Sequence, residues 1–195
     1  LHFREGDVSG KGVPASLFMA ITRSLFRTLS QHVLSPAKIV TEMNNSISDN
    51  NESNMFVTLI VGILDLETGI LKLCNAGHNP PILIYPDGQV SYLEFKTQIF
   101  VGVVEDFKYS DEEVVLEKES KLFLYTDGVT EAENINKELY GEEKLLEMLS
   151  DNASSDVRTT VNVVVDSIAS HVKEAEASDD LTILLIQYEP GTANS

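Results

Sequence analysis

The stretch Gly6-Asp7-Val8-Ser9-Gly10-Lys11-Gly12 decides how the rest of the chain is read. It follows a short run, His2 to Glu5, that reads as the end of a strand, and it leads into Pro14 and a long helical pattern. The glycines permit positive φ or close backbone approach, so the Asp7 carboxylate and nearby carbonyls can converge on one small target. A cation is the natural target. A phosphate-cradling P-loop needs four residues between its first glycine and a Gly-Lys pair, then Ser or Thr. Here three residues separate Gly6 from Gly10 and Gly12 follows Lys11, so that motif is excluded. Taken alone, the stretch also fits an ordinary strand-to-helix turn, and other residues have to decide.

Outward from the loop, Pro14 suits a first helical turn, and Leu17, Phe18, Ile21, Leu25, Phe26 and Leu29 recur at three- and four-residue steps. That spacing predicts a helix with this face on a core. Ser35 and Pro36 read as the N-cap and first residue of a second helix, which turns Ile39, Val40, Met43 and Ile47 inward and dissolves over Asn44 to Asn54 into polar loop. From Met55 the grammar changes to strands: Met55 to Leu64 and Ile70 to Asn75 as one hairpin, Pro81 to Tyr85 and Gln89 to Phe95 as another around Pro86-Asp87-Gly88. Glu113 to Glu117 and Lys121 to Tyr125 add two strands, Gly141 to Ser150 and Asp156 to Val172 two helices, and Leu181 to Tyr188 a last strand. Helices, a block of antiparallel strands, helices and one strand make an α+β layered domain.

Size and composition fit one soluble domain over 1–188 with a loose tail over 189–195: 195 residues, 43% of them hydrophobic. A formal charge of −17 works against unaided contact with nucleic acid or an anionic membrane. The single cysteine, Cys74, excludes an internal disulfide and a cysteine-built zinc site, in keeping with a cytoplasmic setting. Its alternating strand context makes it a packing thiol. No apolar run is long enough to cross a bilayer and no signal-peptide pattern appears, although the parent protein is free to be membrane-anchored. A start at Leu1, six residues before the loop aspartate, reads as a piece cut from something longer.

Two more aspartates stand at strand ends. Asp127 follows the apolar run Leu122-Phe123-Leu124-Tyr125, and Asp179-Asp180 precedes Leu181-Thr182-Ile183-Leu184-Leu185. If those strands are antiparallel neighbours, these carboxylates meet at one end of the sheet. Grouped carboxylates repel unless protonated or bound to a cation, and oxygen-only donors select Mg²⁺ or Mn²⁺ over zinc. Capping of turns is the competing reading, and it suffices for Asp87-Gly88.

Five stretches in order carry a specific resemblance: the loop extended to Ala15, Asn75-Ala76-Gly77-His78-Asn79-Pro80-Pro81, Tyr125 to Glu131, Tyr140 to Leu145, and Ser178-Asp179-Asp180-Leu181-Thr182. Together they resemble the successive motifs of the SpoIIE/RsbU-like branch of the PPM (PP2C-like) serine/threonine phosphatases. The resemblance implies an α-β-β-α sandwich of two antiparallel sheets flanked by helix pairs, here lacking its first strands and one acidic metal contact. It implies that Asp7 bridges two Mn²⁺ or Mg²⁺ ions, that the Val8 carbonyl is a further ligand, and that Asp127 and Asp179 complete the cluster, with Asp180 one step removed. It further implies attack of a metal-bridging water on a phosphoserine or phosphothreonine of a STAS-domain anti-anti-sigma protein, under an upstream sensor or receiver domain, and it allows a homodimer. The alternative is a catalytically weak or inactive module that binds a STAS-type partner.

Three departures bear on this. Ile99-Phe100-Val101-Gly102-Val103 stands where a Leu-Pro-Leu/Ile-Gly pattern is expected, Arg4-Glu5 is more polar than a core strand, and Ser9 occupies the place of a histidine proposed as general acid in broader PP2C enzymes. His78 reads as a structural turn histidine, while Lys11, Arg23 and Arg27 read as solvated cations.

Overall fold

Residues 1–49, 51, 54–175 and 180–190 are described in a computed structural model of the chain. In chain order the elements are β1 (His2–Val8), α1 (Val13–Leu29), α2 (Pro36–Ser48), β2 (Val57–Leu64), β3 (Ile70–Ala76), β4 (Ile82–Ile84), β5 (Val90–Tyr92), β6 (Glu112–Val115), β7 (Lys121–Tyr125), α3 (Glu142–Asp151), α4 (Val157–Val172) and β8 (Ile183–Gln187). They fall into two units: Leu1–His78 with Phe95–Val115, and Asn79–Glu94 with the chain from Leu116 onward. Each unit holds one four-stranded antiparallel sheet and two helices, as the α+β reading requires.

In the first unit the sheet order is β1-β2-β3-β6. β2 is central and almost wholly buried because Val57-Thr58-Leu59-Ile60-Val61-Gly62-Ile63-Leu64 is apolar on both faces. Against one face lies α2, whose Ile39, Val40 and Met43 are fully buried with Val57, Leu59, Val61, Cys74 and Ala76. Each such side chain contributes about 1.5–3 kcal/mol relative to exposure. The expected start of α2 is present: Ser35 accepts from the Lys38 amide at 3.2 Å with Pro36 in the first turn. Asp111, just before β6, completes the cap, accepting from the Ser35 hydroxyl at 2.7 Å and from the Ala37 amide.

Two expectations are corrected here. On α1 the inward face is built from Ala15, Phe18, Met19, Thr22, Leu25, Phe26 and Leu29, whereas Leu17 and Ile21 are 61% and 55% exposed. At 3.6 residues per turn, Ile21 sits roughly 100° and Leu17 roughly 140° around the helix from the face centred near Thr22. On α2 the helix runs through Asn44 instead of dissolving there. Asn44 is buried, and tertiary partners satisfy its amide: it donates to the Val104 carbonyl at 2.8 Å and accepts from the Gly102 amide at 2.9 Å.

In the second unit the order is β5-β4-β7-β8. β7 is buried along its whole length between β4 and β8. Phe123 and Tyr125 pack with Leu145 and Leu149 of α3 and Val164 and Ile168 of α4. Lys121, on the same strand face, places its ammonium on the Ala153 and Ser155 carbonyls in the connection between the helices. Of the expected tail, only Glu189 and Pro190 are among the described residues.

Asp111→Ala removes the two carboxylate acceptors at the N-terminus of α2 and leaves the Ser35 hydroxyl as its cap. It is expected to lower unfolding free energy by about 1–2 kcal/mol in urea melts; an unchanged midpoint would show that Ser35 caps the helix by itself.

Candidate functional site

β1 pairs with β2 so that Asp7 stands opposite Thr58. Val8 points into the helix-covered core, and Arg4, of the same parity, lies 5.6 Å from the centre of the Phe26 ring. Phe3, Glu5 and Asp7 therefore occupy the other face of the strand. Gly6 is required by proximity: a Cβ there would stand 2.5 Å from the Thr58 carbonyl oxygen. Beyond Asp7 the strand end is pinned by Ser9, whose amide donates to the Phe56 carbonyl at 2.9 Å and whose hydroxyl accepts from the Phe56 amide at 2.8 Å. Gly10 and Gly12 then take positive φ, and α1 begins. Lys11 is exposed on this turn.

The Asp7 amide donates to the Thr58 hydroxyl at 3.3 Å, and the same oxygen lies 3.4 Å from the Asp7 carbonyl and 3.1 Å from His78 Nδ1. His78 is buried in the turn that ends β3. That turn is held by Asn75, whose side chain accepts from the His78 amide at 2.8 Å and donates to the His78 carbonyl at 3.0 Å. The other ring nitrogen, Nε2, is 4.0 Å from Glu5 Oε2. Glu5 is only 4% exposed and neither carboxyl oxygen has a hydrogen-bond partner. Burial pushes its carboxyl up to about 8, so the neutral acid predominates at pH 7 and the contact with His78 is not a full ion pair. Glu5 and Thr58 were not among the residues expected from sequence; the polarity of Arg4-Glu5 inside a strand was the signal for the first.

In the second unit the expected adjacency of the two acidic strand ends is present in its backbone. β7 and β8 are antiparallel, with Tyr125 opposite Ile183. Past the strands, the Thr126 amide donates to the Thr182 carbonyl at 3.2 Å and the Thr126 hydroxyl to the Asp180 carbonyl at 3.2 Å. Asp127, half-buried, begins a turn whose closure is made by the Glu131 amide on the Asp127 carbonyl at 2.8 Å. Gly128 is needed here because a Cβ would come 2.3 Å from the Asp180 carbonyl oxygen. The Tyr140-Gly141 stretch is tied to the same turn through the Gly141 amide on the Thr130 carbonyl at 2.9 Å. Asp179 lies outside the described residues. Asp180 is exposed.

Asp7 and Asp127 thus belong to different units. Each ends a strand, half-buried, among carbonyl and hydroxyl oxygens, a donor chemistry that suits a hard divalent cation. Among the described residues no group of three or more His, Cys, Asp or Glu side chains converges. Cys74 is fully buried, and burial first of all pushes its thiol up to about 12.

Residues 1–189 match the sequence profile of Stage II sporulation protein E (SpoIIE). The chain belongs to the SpoIIE family. IcfG of Synechocystis sp. is 26% identical, over 93% of this chain and 32% of its own length. The phosphoserine phosphatase RsbU of Bacillus subtilis is 25% identical, over 93% of this chain and 53% of its own length. The chain therefore spans about a third to a half of these SpoIIE-family relatives. The SiaA-PP2C domain of Pseudomonas aeruginosa superimposes with a TM-score of 0.82 at 22% identity, covering 96% of this chain and 76% of that one. The fold is accordingly the PP2C fold. Two more distant neighbours in fold were solved with metals: RsbX with magnesium, and PstP with 2 manganese ions, at TM-scores of 0.67 and 0.64 and identities of 18% and 13%. They cover 95% and 94% of this chain, and 80% and 86% of their own. Among the described residues no helix is long and apolar enough to cross a membrane.

The thiol at Cys74 supplies a check on the packing of β3. Because burial disfavours the thiolate and holds the folded pKa near 12, the native chain is expected to resist iodoacetamide at pH 8 and to react after unfolding. Rapid labelling of the native chain would contradict the placement of Cys74.

Proposed function

We propose that this chain is a metal-dependent protein-serine/threonine phosphatase domain that removes phosphate from a regulatory phosphoprotein. The observation that carries the reading is that Asp7 and Asp127, from SpoIIE-family motifs far apart in sequence, each end a core strand in a half-buried, oxygen-lined turn. Asp7, the Val8 carbonyl, Asp127 and Asp179 are the residues assigned to hold Mn²⁺ or Mg²⁺, two ions by the family resemblance. When bound, such ions would lower the pKa of a coordinated water and offset charge on the phosphoryl oxygens during in-line displacement.

The chain's own residues have separate tasks. Asp7 and Asp127 present carboxylates from backbones fixed by Thr58 and by the Glu131 amide, so little ordering remains to be done on loading. The Ser9 hydroxyl accepts from the Phe56 amide, which gives this residue a structural role in holding β1 to Phe56. Lys11, exposed in the glycine loop, adds a positive charge that favours an approaching phosphate. The substrate assigned is a phosphoserine or phosphothreonine on a STAS-domain anti-anti-sigma protein, which places the domain in a sigma-factor partner switch beneath an upstream sensor. The strong negative charge of the chain supports a protein substrate presented through specific contacts over an anionic polymer.

Asp127→Asn keeps the shape of the turn and removes the ligand charge. Mn²⁺-dependent phosphate release from a phosphoserine-bearing STAS protein is expected to fall roughly 100-fold or more, with far-UV circular dichroism unchanged. Unchanged turnover would remove Asp127 from the site. Absence of turnover in the unaltered chain, with intact binding of the STAS protein, would favour the inactive binding module.

A further inference from the structure

The geometry points to His78 as a positioning residue for Asp7, acting through the Thr58 hydroxyl; the inference rests on the assignment of Asp7 as a metal ligand. The argument is one of hydrogen counting. The Thr58 hydroxyl has one proton and two lone pairs, and three polar atoms surround it: the Asp7 amide at 3.3 Å, the Asp7 carbonyl at 3.4 Å and His78 Nδ1 at 3.1 Å. The amide can only donate, so Thr58 accepts from it. The carbonyl can only accept, so the hydroxyl proton goes to it, and the remaining lone pair accepts from His78 Nδ1–H.

That assignment fixes the rest of the chain of contacts. With Nδ1 carrying the ring proton, Nε2 is the bare nitrogen, and it faces Glu5 Oε2 at 4.0 Å. The ring cannot drift, because Asn75 clamps the His78 backbone at both its amide and its carbonyl. His78, Glu5 and Asn75 are all buried. Remove the imidazole and one lone pair of the Thr58 hydroxyl loses its donor, so the hydroxyl is no longer held by His78 in the rotamer that serves both the Asp7 amide and the Asp7 carbonyl. The backbone from which the Asp7 carboxylate departs then loses one of the contacts that fix it beside the strand pairing. In this way the Asn75-Ala76-Gly77-His78 stretch, remote in sequence from the glycine loop, sets the direction of its aspartate.

The test uses the whole chain and two readouts. In the metal-free chain, hydrogen exchange of the Asp7 amide, followed by NMR, reports the Thr58 contact directly. Exchange is expected to quicken in Thr58→Val and in His78→Ala, and to return to the native rate in Thr58→Ser. Mn²⁺ affinity by calorimetry is expected to weaken about tenfold in the first two variants and recover in the third, with Thr58→Val/His78→Ala no worse than either alone. A folded His78→Ala with native Asp7 exchange and native Mn²⁺ affinity overturns the inference. Should His78→Ala fail to fold, equal behaviour of Thr58→Val and Thr58→Ser overturns it instead. Mn²⁺ affinity that does not respond to Asp7→Asn counts against the metal assignment, and the exchange readout still decides the role of His78.

Discussion

The pairing of β1 with β2, in the register that sets Asp7 against Thr58, is the constraint on which the first unit depends. Side chains alternate along a strand, so a slip of one residue would turn Val8 out of its core and put Asp7 into it. Two features resist that slip. At Gly6 the strands approach so closely that any side chain would collide with the Thr58 carbonyl, and at Ser9 a pair of hydrogen bonds to Phe56 locks the end of the ladder. A glycine-rich turn can follow because the strand before it is already fixed. The aspartate in that turn inherits its direction from the sheet.

The same register brings a cost. Glu5, two residues before Asp7, is carried to the same face and buried without a hydrogen-bond partner, where desolvation favours its neutral form. A buried carboxyl beside a buried imidazole is an expensive arrangement for a strand whose other odd-numbered core residue is Phe3. In the second unit the comparable polar load is moved to the strand ends: β7 is apolar apart from Lys121, whose ammonium is matched by two carbonyls, and its acidic residue waits until the turn. Both units thus keep carboxylates at the margins of a dry sheet, Glu5 being the exception.

Much of this was legible in the sequence, and the gaps have physical causes. The β2–β3 hairpin and the capped start of α2 follow from local apolar patterning and turn chemistry, whereas the pairing of β7 with β8, only a condition in the sequence, is supplied by the structure. Leu17 and Ile21 misled because six apolar residues on α1 span more than one face, and burial is decided by which face meets the sheet. Asn44 misled because a polar residue mid-helix signals a loop unless distant backbone groups satisfy it, here those of Gly102 and Val104. The Glu5–His78–Thr58 contacts were illegible for a similar reason: they join three segments through strand register, not spacing. Asp7 and Asp127 were legible as strand-end acids because each follows an apolar run and precedes a glycine-containing turn. Asp179 belongs to the same pattern and lies outside the described residues.

The most direct measurement is a crystal structure of the chain grown with Mn²⁺, with diffraction recorded at the manganese absorption edge. Anomalous peaks at the Asp7 carboxylate and at the Asp127 carboxylate are the result the account predicts. Well-ordered Asp7 and Asp127 side chains with no manganese on either, at metal concentrations that support turnover, would contradict it.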